Sequence, residues 1–208
     1  MLESKIMATF AEYYQDLLER EELHEQELIS NWLPDLIAQV TNDITQTVEN
    51  SNLINSRCPI IPNSNNQSRG NQIANYLAER LNQQLQNFNL LRCLGREGYP
   101  DRILVRLADN SRHISFEIKS TSNWNPNDTN RRVLTSSSSK LRRNFNAPIY
   151  HLICTVIYRM ENDFAMINAI RLDFIEPNTD VNVRLEASVS HRILSNGEHQ
   201  TVVFEPND

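Results

Sequence analysis

The chain has 208 residues, 39% of them apolar and 22% charged, with a net charge of −6. That is length enough for one packed domain, 1–208, and the balance reads as soluble and globular. No apolar run approaches a membrane span, and Met1-Leu2-Glu3-Ser4-Lys5 lacks a signal-peptide stretch, so the expectation is a cytoplasmic protein with no membrane partner.

In chain order, residues 4–29 read as an acidic amphipathic helix, with Ile6, Phe10, Tyr13, Tyr14, Leu17 and Leu18 at helical spacing. Residues 33–49 give a second helix, striped by Leu33, Leu36, Ile37, Val40, Ile44 and Val48. Together, 1–49 form an N-terminal helical subregion, a dimerisation arm or a cap on the core. Residues 50–68, rich in Asn and Pro, read as a long loop. Ser68 then caps a helix over 69–87, with Ile73, Tyr76, Leu77, Leu81 and Leu85 inward and Glu79 off the buried stripe.

The core, 69–208, continues with strands at 90–94, 102–107, 113–119, 149–158 and 164–175. The run from Ile149 to Tyr158 is apolar on both faces, which marks a central strand. A hairpin of 181–190 with 201–204, turning at Asn196-Gly197, closes the chain.

The informative segment is Gly98-Tyr99-Pro100-Asp101 and the hairpin after it. Asp109-Asn110-Ser111 supplies its turn. Side chains alternate along a strand, so Ile114, Phe116 and Ile118 face one way and Ser115, Glu117 and Lys119 the other. Lysine is scarce here, at 5, 119 and 140 only, yet one sits inside this apolar run beside a carboxylate. Asp101 and Glu117, on adjacent strands, suit a hard divalent cation such as Mg²⁺, with the Ile118 backbone carbonyl as a further ligand. Lys119 would lie beside a metal-bound water. The implied reaction is hydrolysis of a phosphodiester. The plain alternative is a turn followed by a solvated strand face with a Glu/Lys pair.

The residues from 92 to 143 carry 11 Lys and Arg against 5 Asp and Glu, a basic segment on an acidic chain. That asymmetry suggests a local surface for a polyanion. Within it, Asn123 and Arg131-Arg132 lie in a polar loop, and Lys140, Arg142 and Arg143 follow four serines. Asn and Arg can read base edges, and hydroxyls and basic side chains suit phosphates. A flexible polar linker is the other reading. Cys58, Cys93 and Cys154 are odd in number and far apart, and read as reduced, partly buried thiols. Five histidines show no ligand spacing and read as structural.

Pro100-Asp101 followed 16 residues later by Glu117-Ile118-Lys119 resembles the PD-(D/E)XK nuclease superfamily, and within it a type II restriction endonuclease. The resemblance implies an α/β, restriction-endonuclease-like core, a mixed central sheet flanked by helices, with the N-terminal helices added. It implies a Mg²⁺-dependent homodimer that cuts double-stranded DNA at a specific site, with a cognate methyltransferase as a possible companion. Asp101, Glu117 and Lys119 would be its catalytic residues, and Glu79 an accessory carboxylate on the preceding helix. A repair or recombination nuclease of the same superfamily, and a non-catalytic DNA-binding module, stay open.

Overall fold

A computed structural model describes residues 6–12, 30–95, 100–122, 143–185, 191–195 and 200–206. The strands are β1 (Ile6–Thr9), β2 (Arg57–Pro59), β3 (Phe88–Arg92), β4 (Arg102–Arg106), β5 (Ser111–Thr121), β6 (Tyr150–Glu161), β7 (Phe164–Ile175), β8 (Asp180–Leu185), β9 (His191–Ser195) and β10 (Gln200–Phe204). The helices are α1 (Pro34–Asn50) and α2 (Asn66–Gln84).

A seven-stranded sheet runs in the order β10-β7-β6-β5-β4-β3, with β2 also paired to β7. β5 and β6 are parallel and every other pair in it is antiparallel. A separate antiparallel sheet, β1-β8-β9, has three strands. The main sheet is therefore mixed and helix-flanked, as the sequence implies.

Both helices bury their apolar stripes on one face of that sheet. Leu36, Ile37, Val40, Ile44 and Val48 of α1 and Ile73, Leu77 and Leu81 of α2 share one core with Ile114, Phe116 and Ile118 of β5 and Leu152, Cys154 and Val156 of β6. Trp32 adds an edge-to-face contact with Phe174 at 4.9 Å. β6 lies between β5 and β7 and is buried on both faces, the place its double-sided apolar run predicts.

Several expectations are corrected. Residues 6–9 are strand, not helix, because they pair with β8. The helical turn starts only at Phe10, where Thr9 and Glu12 form a capping box. Thr9 N–H and Oγ–H donate to Glu12 Oε2 at 2.8 and 2.9 Å, and Glu12 N–H donates back to Thr9 Oγ1 at 3.2 Å. The rest of the expected helix, 13–29, falls outside the described residues. Of the expected α1 stripe, Leu36 to Val48 pack into the core as a cap does, whereas Leu33 just ahead of the helix is exposed.

The long loop at 50–68 contains β2, and its asparagines serve the backbone. Asn52, Asn55 and Asn63 have φ of 46°, 66° and 61°, the left-handed region that Asn tolerates. The cap of α2 is Asn65, whose Oδ1 accepts from Ser68 N–H at 2.8 Å, so the helix opens earlier than Ser68. The tail is not one hairpin: β8 pairs with β9 in the small sheet, whereas β10 joins β7. Asn196-Gly197 falls outside the described residues.

One buried carboxylate ties the helices together. Asp43, on the buried side of α1 and 1% exposed, accepts the Gln86 and Asn87 amides at 2.9 Å each, just beyond α2. Removing it leaves two amides without their acceptor. Asp43→Ala should destabilise the fold by roughly 2–4 kcal/mol, measured by urea unfolding. A loss below about 0.5 kcal/mol would show that this clasp is not formed.

Candidate active site

The antiparallel register of β4 and β5 builds the site. Arg102 lies opposite Phe116, which sets Asp101 opposite Glu117. Pro100, buried, leads the chain into β4, and proline there withholds no ladder hydrogen bond. The turn that joins the strands is the expected one. Asn110 has φ of 53°, Ser111 N–H donates to Asp109 Oδ1 at 3.1 Å, and Arg106 pairs with Asp109.

Each carboxylate accepts an amide of the other's strand. Asp101 N–H donates to Glu117 Oε2 at 2.9 Å, and Ile118 N–H donates to Asp101 Oδ2 at 3.1 Å. Lys119 Nζ lies 2.5 Å from Glu117 Oε1. This is not a solvated strand face: the Glu117 side chain is 5% exposed and that of Lys119 is 21%.

Burial raises the pKa of Glu117 above its ordinary value, and the Lys119 ammonium is the largest influence pulling it back. Burial also works against the charge on Lys119. The Glu117 carboxylate, and after it Asp101, outweigh that and hold the lysine pKa above its usual range. The pairing with Glu117 therefore favours the charged form of Lys119, which donates hydrogen bonds.

Asp101 and Glu117 are the carboxylates that could hold a hard divalent cation. Among the described residues no three His, Cys, Asp or Glu side chains gather as a ligand cluster. Two carboxylates remain, which fits Mg²⁺, an ion that keeps most of its waters and binds through one or two carboxylates. It does not fit a closed site of the structural zinc kind.

Beside these residues lies a cavity of about 780 Å³, bounded on one side by Asp101, Arg102, Ile118, Lys119 and Ser120 and on the other by α2. The contributing face of α2 is Asn66, Gln67, Gly70, Asn71, Ala74 and Asn75. Arg102 ties the two walls: its Nη1 donates to the Asp101 carbonyl and its Nη2 to Asn75 Oδ1, each at 2.9 Å. Sequence reading missed this wall. An Asn/Gln-rich helix gives no hydrophobic signal of which way its polar side chains turn.

The other expected residues fare differently. Glu79 is exposed and does not line the cavity. Arg143 is exposed beside Asn144, whose carboxamide bonds the backbone of Leu94 at 2.8 and 3.0 Å. Asn123, Arg131, Arg132, Lys140 and Arg142 lie outside the described residues.

No family model and no curated protein matches the chain. Among solved structures it is similar to the restriction endonuclease BglI bound to its DNA recognition sequence. The identity is 14%, over 82% of this chain and 79% of that one, with a TM-score of 0.39. A likeness that distant assigns this chain neither an activity nor a family. The site stands on its own geometry.

That geometry makes a direct prediction. With Lys119→Met, the Glu117 carboxyl loses its main counter-charge while staying buried. Its titration midpoint, followed by carbon-13 NMR, should move upward relative to wild type. An unmoved midpoint would show that the two side chains are not paired.

Proposed function

We propose that the chain is a Mg²⁺-dependent endonuclease that hydrolyses phosphodiester bonds of double-stranded DNA, of the site-specific restriction type. The observation that carries this reading is the cross-strand clasp of Asp101 and Glu117, with Asp101 and Lys119 on the wall of an open cavity and Glu117 buried behind them. Asp101 and Glu117, with the Ile118 carbonyl, would hold the cation. Bound there, Mg²⁺ supplies Lewis acidity that makes water a better nucleophile and stabilises charge on the leaving oxygen.

The chain's own residues do the rest. The backbone bonds across β4 and β5 fix both carboxylates before substrate arrives, so little reorganisation is left for the reaction. Lys119 donates to the attacking water and to a phosphate oxygen, orienting one and offsetting charge on the other. The water's proton passes to solvent in the open cavity, and the leaving oxygen takes one from it. One P–O bond forms as the opposite one breaks. Cutting both strands of a duplex needs two such sites, hence two copies of the chain.

Supercoiled plasmid with Mg²⁺ should be cut by the wild type and left intact under chelation. Asp101→Ala, Glu117→Ala and Lys119→Ala should each lower the rate by more than about a hundredfold. Lys119→Ala should still bind DNA. A rate within tenfold of wild type for any of the three would remove that residue from the mechanism. No cleavage by wild type across divalent metals would favour a non-catalytic DNA-binding module.

A further inference from the structure

The α2 wall of the cavity has an unusual composition for its position. Gln67, Gly70, Asn71, Ala74 and Asn75 fall at i, i+3, i+4, i+7 and i+8, the spacing a helix normally gives to its apolar stripe. Here the stripe carries carboxamides and the two smallest residue types, and it turns toward Asp101 and Lys119. Asn66, Gln67, Asn71 and Asn75 are exposed.

The helix is set close to the strand that bears the site. A β-carbon added at Gly70 would lie 3.2 Å from Ser120 Oγ, tighter than ordinary contact, so glycine lets α2 settle against the end of β5. Arg102 completes the coupling. It joins Asn75 to the Asp101 backbone, so the helix and the metal-holding carboxylate share one tether. Asn75 Oδ1 accepts from Arg102, which leaves its amide N–H groups as donors.

The helix side of this wall carries no charge, so it offers a phosphate no counter-charge. Asn and Gln can donate to phosphate oxygens as well as to bases, but a phosphate has no donor for their carbonyl oxygens, whereas a base edge does. Carboxamides offer a donor and an acceptor side by side, a match for the N6 and N7 edge of adenine. From Gln67 to Asn75 the helix rises roughly 12 Å, enough to face more than one base pair.

We propose that the carboxamide face of α2, chiefly Gln67 and Asn71 with Asn75 fixed by Arg102, reads base edges next to the scissile phosphate and favours adenine there. The proposal rests on the nuclease reading, since it takes Asp101 and Lys119 to mark where the phosphate is cut.

The experiment is cleavage of a duplex library randomised around the cut site, in Mg²⁺, by wild type and by Gln67→Ala and Asn71→Ala, with the product ends sequenced. The wild type should prefer adenine at one or more positions by roughly tenfold or more, as one bidentate pair provides. Each variant should flatten that preference to below about threefold at its own position. Both side chains are exposed, so thermal midpoints should match wild type. The slope of log binding constant against log salt should stay the same, because no phosphate contact is lost.

Wild-type preference retained by both variants would overturn the proposal while the nuclease reading stands. An even loss on all sequences with a shallower salt slope would overturn it in favour of backbone contacts. A wild type that cuts no duplex would overturn both.

Discussion

The site depends on one exchange of hydrogen bonds. Asp101 N–H donates to Glu117 on the neighbouring strand, and Ile118 N–H donates to Asp101 in return. Each carboxylate thus accepts an amide of the other's strand. Side chain and backbone are held by the same contacts, so the positions of the carboxylates follow from the register of β4 on β5. A one-residue slip would turn Glu117 and Lys119 to the helix side, into the apolar core.

A buried Glu–Lys pair is poor economy for stability. Desolvating two charges offsets most of their attraction, and an apolar pair of similar volume would often serve as well. The same face carries another acid–base pair, Arg171 Nη2 to Asp173 Oδ1 at 2.6 Å, closed by Thr201 Oγ1 at 2.9 Å and away from the α2 cavity. Arg171 opens onto a second cavity, of about 520 Å³, and what sets the Glu117–Lys119 pair apart is its clasp with the second carboxylate, Asp101. Lys119 lines the α2 cavity, so this pair has access to a ligand, which suits function better than packing. Charge elsewhere is partly occupied within the fold. Arg106 is engaged by Asp109 and Arg102 by Asn75, which leaves a polyanion surface to other members of the basic segment.

What could be read from the letters follows the range of the forces involved. β5 and β6 were legible because period-two alternation and double-sided apolar runs are local, and Asp101, Glu117 and Lys119 followed from the hairpin between them. β1 was not legible: Ile6 and Phe10 fit a helical spacing, and only pairing with distant β8 makes 6–9 a strand. β2 is three residues long and exists through its partner β7, so the asparagines around it looked like a loop. Asp43 sits among Val40, Ile44 and Thr47 on the buried side of α1, where its acidic side chain breaks the stripe. Its acceptors' partners lie more than forty residues away. The carboxamide wall of α2 was hidden for the opposite reason, since polar residues announce no face.

The most direct measurement is the place where a cation binds. Mn²⁺, a paramagnetic stand-in for Mg²⁺, can be titrated into nitrogen-15-labelled protein while amide signals are followed. The account predicts that the amides of Asp101, Ile118 and Lys119 broaden first, and that Asp101→Ala abolishes the effect. Broadening that begins elsewhere and leaves those amides sharp would contradict it.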